Sequence, residues 1–582
     1  MRVLGVIGLL LAVAIPTGAA AAPALIPTVV PDADCRTDRD YATVADALLE
    51  NRYFLPPHPA VTLPAELTWR EDPFHDNNWR FQFHALGYVI TLLERGAETG
   101  DPKYVARATA LVRSWLESNP REAPPSFYSW NAHSAALRAR VLVCLAGVVG
   151  VKPWLRAGLV LHGEVLSDPG EWVPGNQGTD QMIGLLDIGC FIGRAAWKSL
   201  AAERIHMFMR TNVDAEGVSI EQSITYQHYT WLRFEVARER LLRCGERVGK
   251  AFARLSLMPR MLAHATLPNG EYELLGDTLG GPAPIVPGTI AEYAATAGAS
   301  GPKPRATDAR YSAGFLFART GWGETRRFAN EVHWTMRYGP ARIQHGHLDH
   351  GSLTLYGFGR RLLLDPGLYQ YESTALRRWI ISRSAHNVVT ADRPFILAHS
   401  PLLRFTRRPS SIDVVVDVNA HQGIEHQRRV IFSRRLHYLV VEDRLSSQRS
   451  SVFKQLWHLR EGADPTRTRG EVATHARLGN VLIRQLIGGG TTRFVTGSSD
   501  PPQGWVSYRY NEIIPAPMVE VERTGRSARY LTLIVPSARP DPSVTVDVSS
   551  IRVAGFTLTI RTPRGAERLR ATRDGVEIIP LG

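Results

Sequence analysis

The chain has 582 residues, 44% hydrophobic and 21% charged, a length beyond the reach of one core and a composition that excludes a disordered or fibrous polymer. Its 68 lysines and arginines against 55 acidic residues give a net charge of +13 and a pI near 9.7, a field that concentrates anionic partners. No helix-turn-helix, zinc-finger or ribonucleoprotein signature accompanies the charge, which argues against nucleic acid and leaves an acidic polysaccharide, or a basic bias without functional meaning.

Met1-Arg2, an apolar run from Val3 to Ile15, Pro16, Gly18 and Ala19 to Ala22 follow the order of a secretory signal peptide, residues 1–22, cleaved near Ala20 or Ala22. Export to the periplasm, cell envelope or medium is expected. No further run looks long enough for a span of ~20 apolar residues, so no stable membrane insertion is expected.

Residues 36–296 read as a helical domain. Asp101 caps, Pro102 suits the first helical position, and Tyr104, Ala108, Leu111 and Trp115 recur at helical spacing until Asn119-Pro120. Trp79, Phe83, Leu86, Ile90 and Leu93 repeat the pattern, with Gly96 as the expected breaker. Further runs lie near 134–147, 180–195, 200–210 and 230–244. Many helices in series with short loops suggest a ring or array of helix pairs without an exact repeat. Cys35, Cys144, Cys190 and Cys244 show no CxxC spacing; Cys144 and Cys190 lie in apolar runs and read as buried core thiols, with room for one disulfide whose pairing stays open.

Residues 297–308, rich in Gly, Pro and Ala, read as a linker. Beyond it, residues 309–582 carry short strand patterns: 352–356 and 361–364 around a glycine turn, then 429–432, 438–442, 530–535 and 556–560. These predict an antiparallel β-sandwich or stacked sheets.

The densest chemistry is Gln344-His345-Gly346-His347-Leu348-Asp349-His350, followed by Asp365-Pro366-Gly367 and Ser384-Ala385-His386-Asn387. Imidazole and carboxylate are zinc ligands; in an extended strand His345 and His347 point to one face, whereas irregular backbone at Gly346 separates their roles. A solvent-facing histidine loop, or buried histidines satisfying backbone groups, are the alternatives.

The His-Gly-His-x-Asp-His run, Ser-Leu-Thr-Leu-Tyr-Gly-Phe-Gly, Leu-Leu-Asp-Pro-Gly-x-Tyr-x-Tyr and Ser-Ala-His-Asn-Val-Val resemble the C-terminal half of heparinase II/III-type and alginate-type polysaccharide lyases. The resemblance implies an α+β multidomain chain, an N-terminal (α/α) toroid followed by a C-terminal antiparallel β-sandwich. It also implies one zinc ion, structural in role, on His347, Asp365 and His386, with His345 working on the sugar and Asp349 and His350 as supporting partners. In the helical half, Asn176 matches the family's carboxylate-neutralising Asn, and Gln177 stands where a His is usual, which leaves the substrate subtype open. Asn176 and Gln177 also fit a helix-start loop. Tyr226 resembles the family's catalytic tyrosine, with Tyr229 as fallback, His228 as a weaker candidate and core packing as the alternative for either ring. Asp180, Glu221, Tyr229, Tyr371 and Arg383 are the expected substrate-binding residues.

The implied activity is β-elimination on a uronic-acid-containing polysaccharide, leaving a 4,5-unsaturated uronate end. Stabilised negative charge at the carboxylate, a base for the C5 proton and an acid for O4 are what it requires; Tyr226 and His345 share the last two roles. A glycoside hydrolase would need a carboxylate pair, for which Glu221 and Asp180 are candidates. A non-catalytic envelope polysaccharide-binding protein would also use the basic charge and the 13 tryptophans.

Overall fold

The computed structural model describes residues 35–37, 40–468, 470–540 and 542–581. The expected signal peptide lies outside them. The described residues divide into two compact units, one of those up to 220 with 228–256, the other of 221–227 with those from 257 onward.

The first unit is an array of helices: α1 (Tyr41–Leu49), α2 (Asn77–Ala85), α3 (Val89–Thr99), α4 (Pro102–Ser118), α5 (Ala132–Val149), α6 (Pro153–Ser167), α7 (Gly175–Phe191), α8 (Ala195–Asn212) and α9 (Ile224–Arg243), the last beginning in residues of the second unit. Asp101 caps α4 by accepting from the Lys103 N–H, and Tyr104, Ala108, Leu111, Val112 and Trp115 form its buried stripe. The predicted helix through Trp79 and Leu93 is two helices, because Leu86 turns left-handed at φ 58°. Gly96 breaks nothing. It lies inside α3, where a Cβ would come within 3.0 Å of Val105, so the glycine permits close packing on α4; the helix ends instead at Gly100, φ 69°.

α5 packs against α2, α6 and α7. Contrary to the reading of the sequence, it has the length and composition of a spanning helix, but 67% of that stretch is buried, as befits the central helix of the array. The cysteine expectation is also corrected: Cys35–Cys144 and Cys190–Cys244 are both disulfides. Apolar flanks mark burial and say nothing about pairing, which the helix array decides by bringing the end of α7 beside the end of α9.

The three largest sheets of the second unit are antiparallel and packed in layers. Strands β1 (Asp308–Tyr311), β2 (Phe315–Arg319), β3 (His333–Arg337), β4 (Leu353–Gly357) and β5 (Arg360–Leu363) pair in sequence order. A ten-stranded sheet follows, centred on two long strands, β6 (Leu439–His458) and β7 (Met518–Ser537). Four strands between Thr545 and Leu581 close the unit. Successive side chains on a strand face opposite ways, and the central sheet uses both faces. Val430, Phe432, Val441 and Ile534 pack with Trp334, Leu353 and Leu363 of the five-stranded sheet; Ile431, Val440 and Leu533 pack with Phe556, Leu558 and Leu569 of the last sheet.

The compact division falls before the stretch expected as a linker. Residues 257–296 cluster with the sheets because Arg361 donates to the Tyr272 carbonyl at 2.7 Å and Thr354 to Glu273 at 2.8 Å. Residues 221–227 join the same unit through Gln222, whose side chain accepts from the Ile343 N–H at 2.8 Å and donates to the Ala341 carbonyl at 3.0 Å.

Candidate functional site

Three segments of the second unit converge on Gly276-Asp277. Gly276 has φ 61°, and a Cβ there would come within 2.5 Å of the Gln222 carbonyl oxygen and 2.7 Å of that of His345, so the position requires glycine. The Asp277 N–H donates to the His345 carbonyl at 2.8 Å, and the Ser223 hydroxyl donates to the Asp277 carbonyl at 2.8 Å. Thr278 Oγ1 accepts from the Ile224 N–H at 3.0 Å, which fixes the first turn of α9 and with it Tyr226.

The Tyr226 ring stacks on the His345 imidazole with centroids 3.4 Å apart and planes within 7°. Its hydroxyl lies 2.8 Å from that of Tyr371. His345 Nδ1 lies 2.9 Å from Asp277 Oδ2, and its Nε2 lies 3.4 Å from Glu221 Oε2. Tyr226, His345, Glu221 and Asp277 are all buried. Burial raises the Tyr226 phenol well above its ordinary value, reinforced by Tyr371, Asp277 and Glu221, and raises that of Tyr371 as well. Both phenols therefore hold their protons at neutral pH.

Asp277 also meets His347, with Oδ1 3.0 Å from Nε2, and Arg377 grips the carboxylate from Nη1 at 2.7 Å and Nη2 at 2.9 Å. Burial alone would raise this carboxyl, but Arg377 and the two imidazoles hold it well below the usual range. Asp277 and Arg377 are absent from the residues the sequence suggested. The one local signal is Glu273-Leu-Leu-Gly-Asp277, two acids flanking apolar residues and a glycine.

Residues 345–350 form an irregular loop, the second of the two alternatives for this segment and not the extended strand. His345 and His347 consequently reach different oxygens of Asp277. The ligand atoms of His347, Asp365 and His386 lie within 4.8 Å of one another, and all three residues are buried. His347 Nδ1, Asp365 Oδ1 and His386 Nε2 make no hydrogen bond, an arrangement costly without a partner. Two imidazoles and a carboxylate suit zinc, so these residues fit the expected ion. The supporting partners differ from those expected. Asp349 pairs with Arg337 at 3.0 Å and His350 lies 2.7 Å from the Pro340 carbonyl; Asp277 is the carboxylate that serves His347.

Arg383 is corrected as a substrate-binding residue: its buried guanidinium donates to the carbonyls of Val389 at 3.0 Å and His350 at 2.7 Å, because it has to satisfy backbone between the sheets. Glu221 and Tyr371 stand in the cluster around His345 and Tyr226.

In the first unit, α7 begins at Gly175, φ 73°, earlier than predicted, so Asn176 and Gln177 occupy its first turn. A Cβ on Gly178 would meet the Val173 carbonyl oxygen at 2.0 Å, and Gln181 donates to the Glu171 carbonyl at 2.8 Å, so this turn is pinned to the preceding loop. Asp180, expected on substrate, instead receives Tyr229 Oη at 2.7 Å and Arg233 Nε, with His133 Nε2 2.8 Å away. Burial would raise it, but Arg233 and His133 hold it low. Tyr229 is thereby spent as a prop for Asp180, which removes the fallback tyrosine. His228 is half-buried and desolvation lowers its imidazole to about 4, so it is uncharged at neutral pH.

Residues 309–547 match the family described as heparinase II/III-like, C-terminal. A heparin-sulfate lyase of Bacteroides stercoris is 20% identical over 86% of this chain and 82% of its own. Among solved structures, heparinase III superposes with a TM-score of 0.78 at 18% identity, covering 91% of each chain. The heparan sulfate lyase HepC of Pedobacter heparinus gives 0.68 at 18% identity, over 94% of this chain and 92% of that one. At such identities the likeness speaks for the fold, a helical toroid region followed by antiparallel sheets.

Proposed function

We infer, from a chain whose residues 309–547 form a heparinase II/III-like C-terminal domain, that the protein is a polysaccharide lyase cleaving a uronic-acid-containing acidic polysaccharide by β-elimination. The observation that carries this reading is the stacked His345–Tyr226 pair, with Asp277 on one imidazole nitrogen and Tyr371 on the phenol. The curated relatives are heparin-sulfate lyases, and the net charge of +13 suits an acidic polymer.

With Nδ1 held by Asp277, His345 Nε2 is the nitrogen that takes the C5 proton, and Glu221 beside it stabilises the imidazolium that results. Tyr226, kept protonated by burial, supplies a proton to O4 as the glycosidic bond breaks, and Tyr371 orients that hydroxyl. Asn176 and Gln177 bind the uronate carboxylate as charge builds on it, a role resting on the family resemblance and their place on the first turn of α7. Zinc on His347, Asp365 and His386 would supply structural fixation of the loop that carries His345. Residues 1–22 direct export, which brings the enzyme to extracellular or envelope glycans.

A hydrolase reading is weakened by one of its two candidates. Asp180 is held low by Arg233 and His133, the opposite of the raised carboxyl a general acid requires. The test is ultraviolet absorbance of unsaturated uronate over a panel of uronic-acid polymers. Wild type should raise it, and His345→Ala and Tyr226→Phe should each lower the rate by at least ~10²-fold. Reducing ends without absorbance would replace elimination by hydrolysis; retained binding without turnover in wild type would favour the binding-protein reading.

A further inference from the structure

Apart from the residues around His345, the second unit holds a cleft of about 500 Å³, within the usual range for ligand sites of roughly 300–1,000 Å³. Arg360, Arg361, Arg460 and Arg509 line it, with Glu271 and Glu461. Both carboxylates are engaged: Glu271 by Arg361, and Glu461 by the Tyr508 hydroxyl at 2.6 Å. The remaining guanidiniums find little negative charge. Arg360 donates to its neighbouring Gly359 carbonyl at 3.0 Å, and Arg460 to the carbonyls of Glu461 at 3.0 Å and Leu478 at 3.2 Å. Arg509 reaches Glu512 only at 3.9 Å. Among the described residues neither Arg360 nor Arg460 forms an ion pair. Arg360 and Arg460 line the same cleft; burial lowers the Arg460 guanidinium, and the positive charge of Arg360 lowers it further against the pull of Glu461.

Part of the lining is glycine backbone. Gly281 at φ 106° and Gly359 at φ 82° would place a Cβ in open space with nothing within 4 Å, which bares main-chain groups to whatever enters. The cleft is joined to the reacting centre by short segments: Gly280 follows Asp277 by three residues, and Arg361 precedes Asp365 by four, at most about 14 Å of chain.

We propose that this cleft is an accessory binding site for a sulfate- or carboxylate-bearing sugar unit of an acidic glycan. The choice of a glycan rests on the lyase reading; the choice of an anion rests on the arginines alone. Arg360 and Arg460 clamp the acidic group by charge-assisted hydrogen bonds, and Tyr508 offers a ring edge beside it.

The test titrates a sulfated uronic-acid octasaccharide calorimetrically into full-length protein carrying His345→Ala, so that nothing turns over, with Arg360→Glu, Arg360→Lys or Arg460→Ala added. Arg360 is exposed, so its replacement leaves the fold intact. Arg360→Glu and Arg460→Ala should each weaken binding about tenfold, the worth of one charge-assisted hydrogen bond, and Arg360→Lys should restore most of it. Inorganic sulfate alone should bind far more weakly than the octasaccharide. Unchanged affinity in Arg360→Glu and Arg460→Ala overturns the proposal, as does inorganic sulfate binding as tightly as the sugar. A wild-type protein that shows no elimination sinks the lyase reading separately, since the calorimetric contrast among arginine variants needs no turnover.

Discussion

Asp277 accepts from two imidazoles with different tasks, His345 at 2.9 Å and His347 at 3.0 Å, while Arg377 neutralises it. Replacing it by Asn keeps the volume but removes the charge, leaving Arg377 buried and unpaired at a cost of about 3–5 kcal/mol. Asp277→Asn should lower the melting temperature and cut kcat by at least ~10²-fold with a smaller change in KM; wild-type kcat in that variant would contradict the role given to His345. Asp180 permits a test of pH. Its folded carboxyl is depressed, so its stabilisation is full above the ordinary carboxylate value of about 4 and is lost as pH falls through that value toward the folded one. In acid denaturation series, Asp180→Asn should be less stable than wild type at neutral pH, and the gap should close below about pH 4. A gap independent of pH would show that the carboxylate charge is not what Arg233 and His133 hold.

At the scale of elements, capping and periodicity made α4 legible, since Asp101, Pro102 and the Tyr104-to-Trp115 stripe act within one helix. The break at Leu86 was not, because a non-glycine residue in left-handed conformation leaves no mark in composition. The same limit hid Asp277, which stands 68 residues from His345 and 100 from Arg377; contacts of that separation are set by sheet and loop packing. The His345–His350 run was legible because its donors are adjacent in sequence. The pairing Cys190–Cys244 joins the ends of α7 and α9 across 54 residues, and closing such a loop removes unfolded-state entropy worth roughly 4 kcal/mol in the chain-entropy model. Replacing both cysteines by serine should therefore lower the melting temperature while leaving the second unit intact; unchanged melting would mean the helix array holds this junction without the bond.

Across the whole molecule, the two textures of the sequence, helical then strand-rich, match the two kinds of architecture, but their boundary by composition at 297–308 is not the boundary by contact. Residues 257–296 and the short stretch 221–227 belong with the sheets, so the Tyr226-bearing turn is carried by the same unit as His345. That unit should contain one zinc per chain by elemental analysis. A chelator should remove it and lower the melting temperature by several degrees, and His347→Ala should prevent loading; a metal-free protein that melts like the loaded one would dismiss the structural ion.

The central claim is that the bond breaks by elimination, and the fate of water decides it most directly. A uronic-acid polymer that the enzyme degrades is digested in heavy-oxygen water and the new chain ends are weighed. The account predicts fragments lighter than the hydrolytic products by one water, with no heavy oxygen in either new end. Heavy oxygen at the new reducing end would contradict it and make the enzyme a hydrolase.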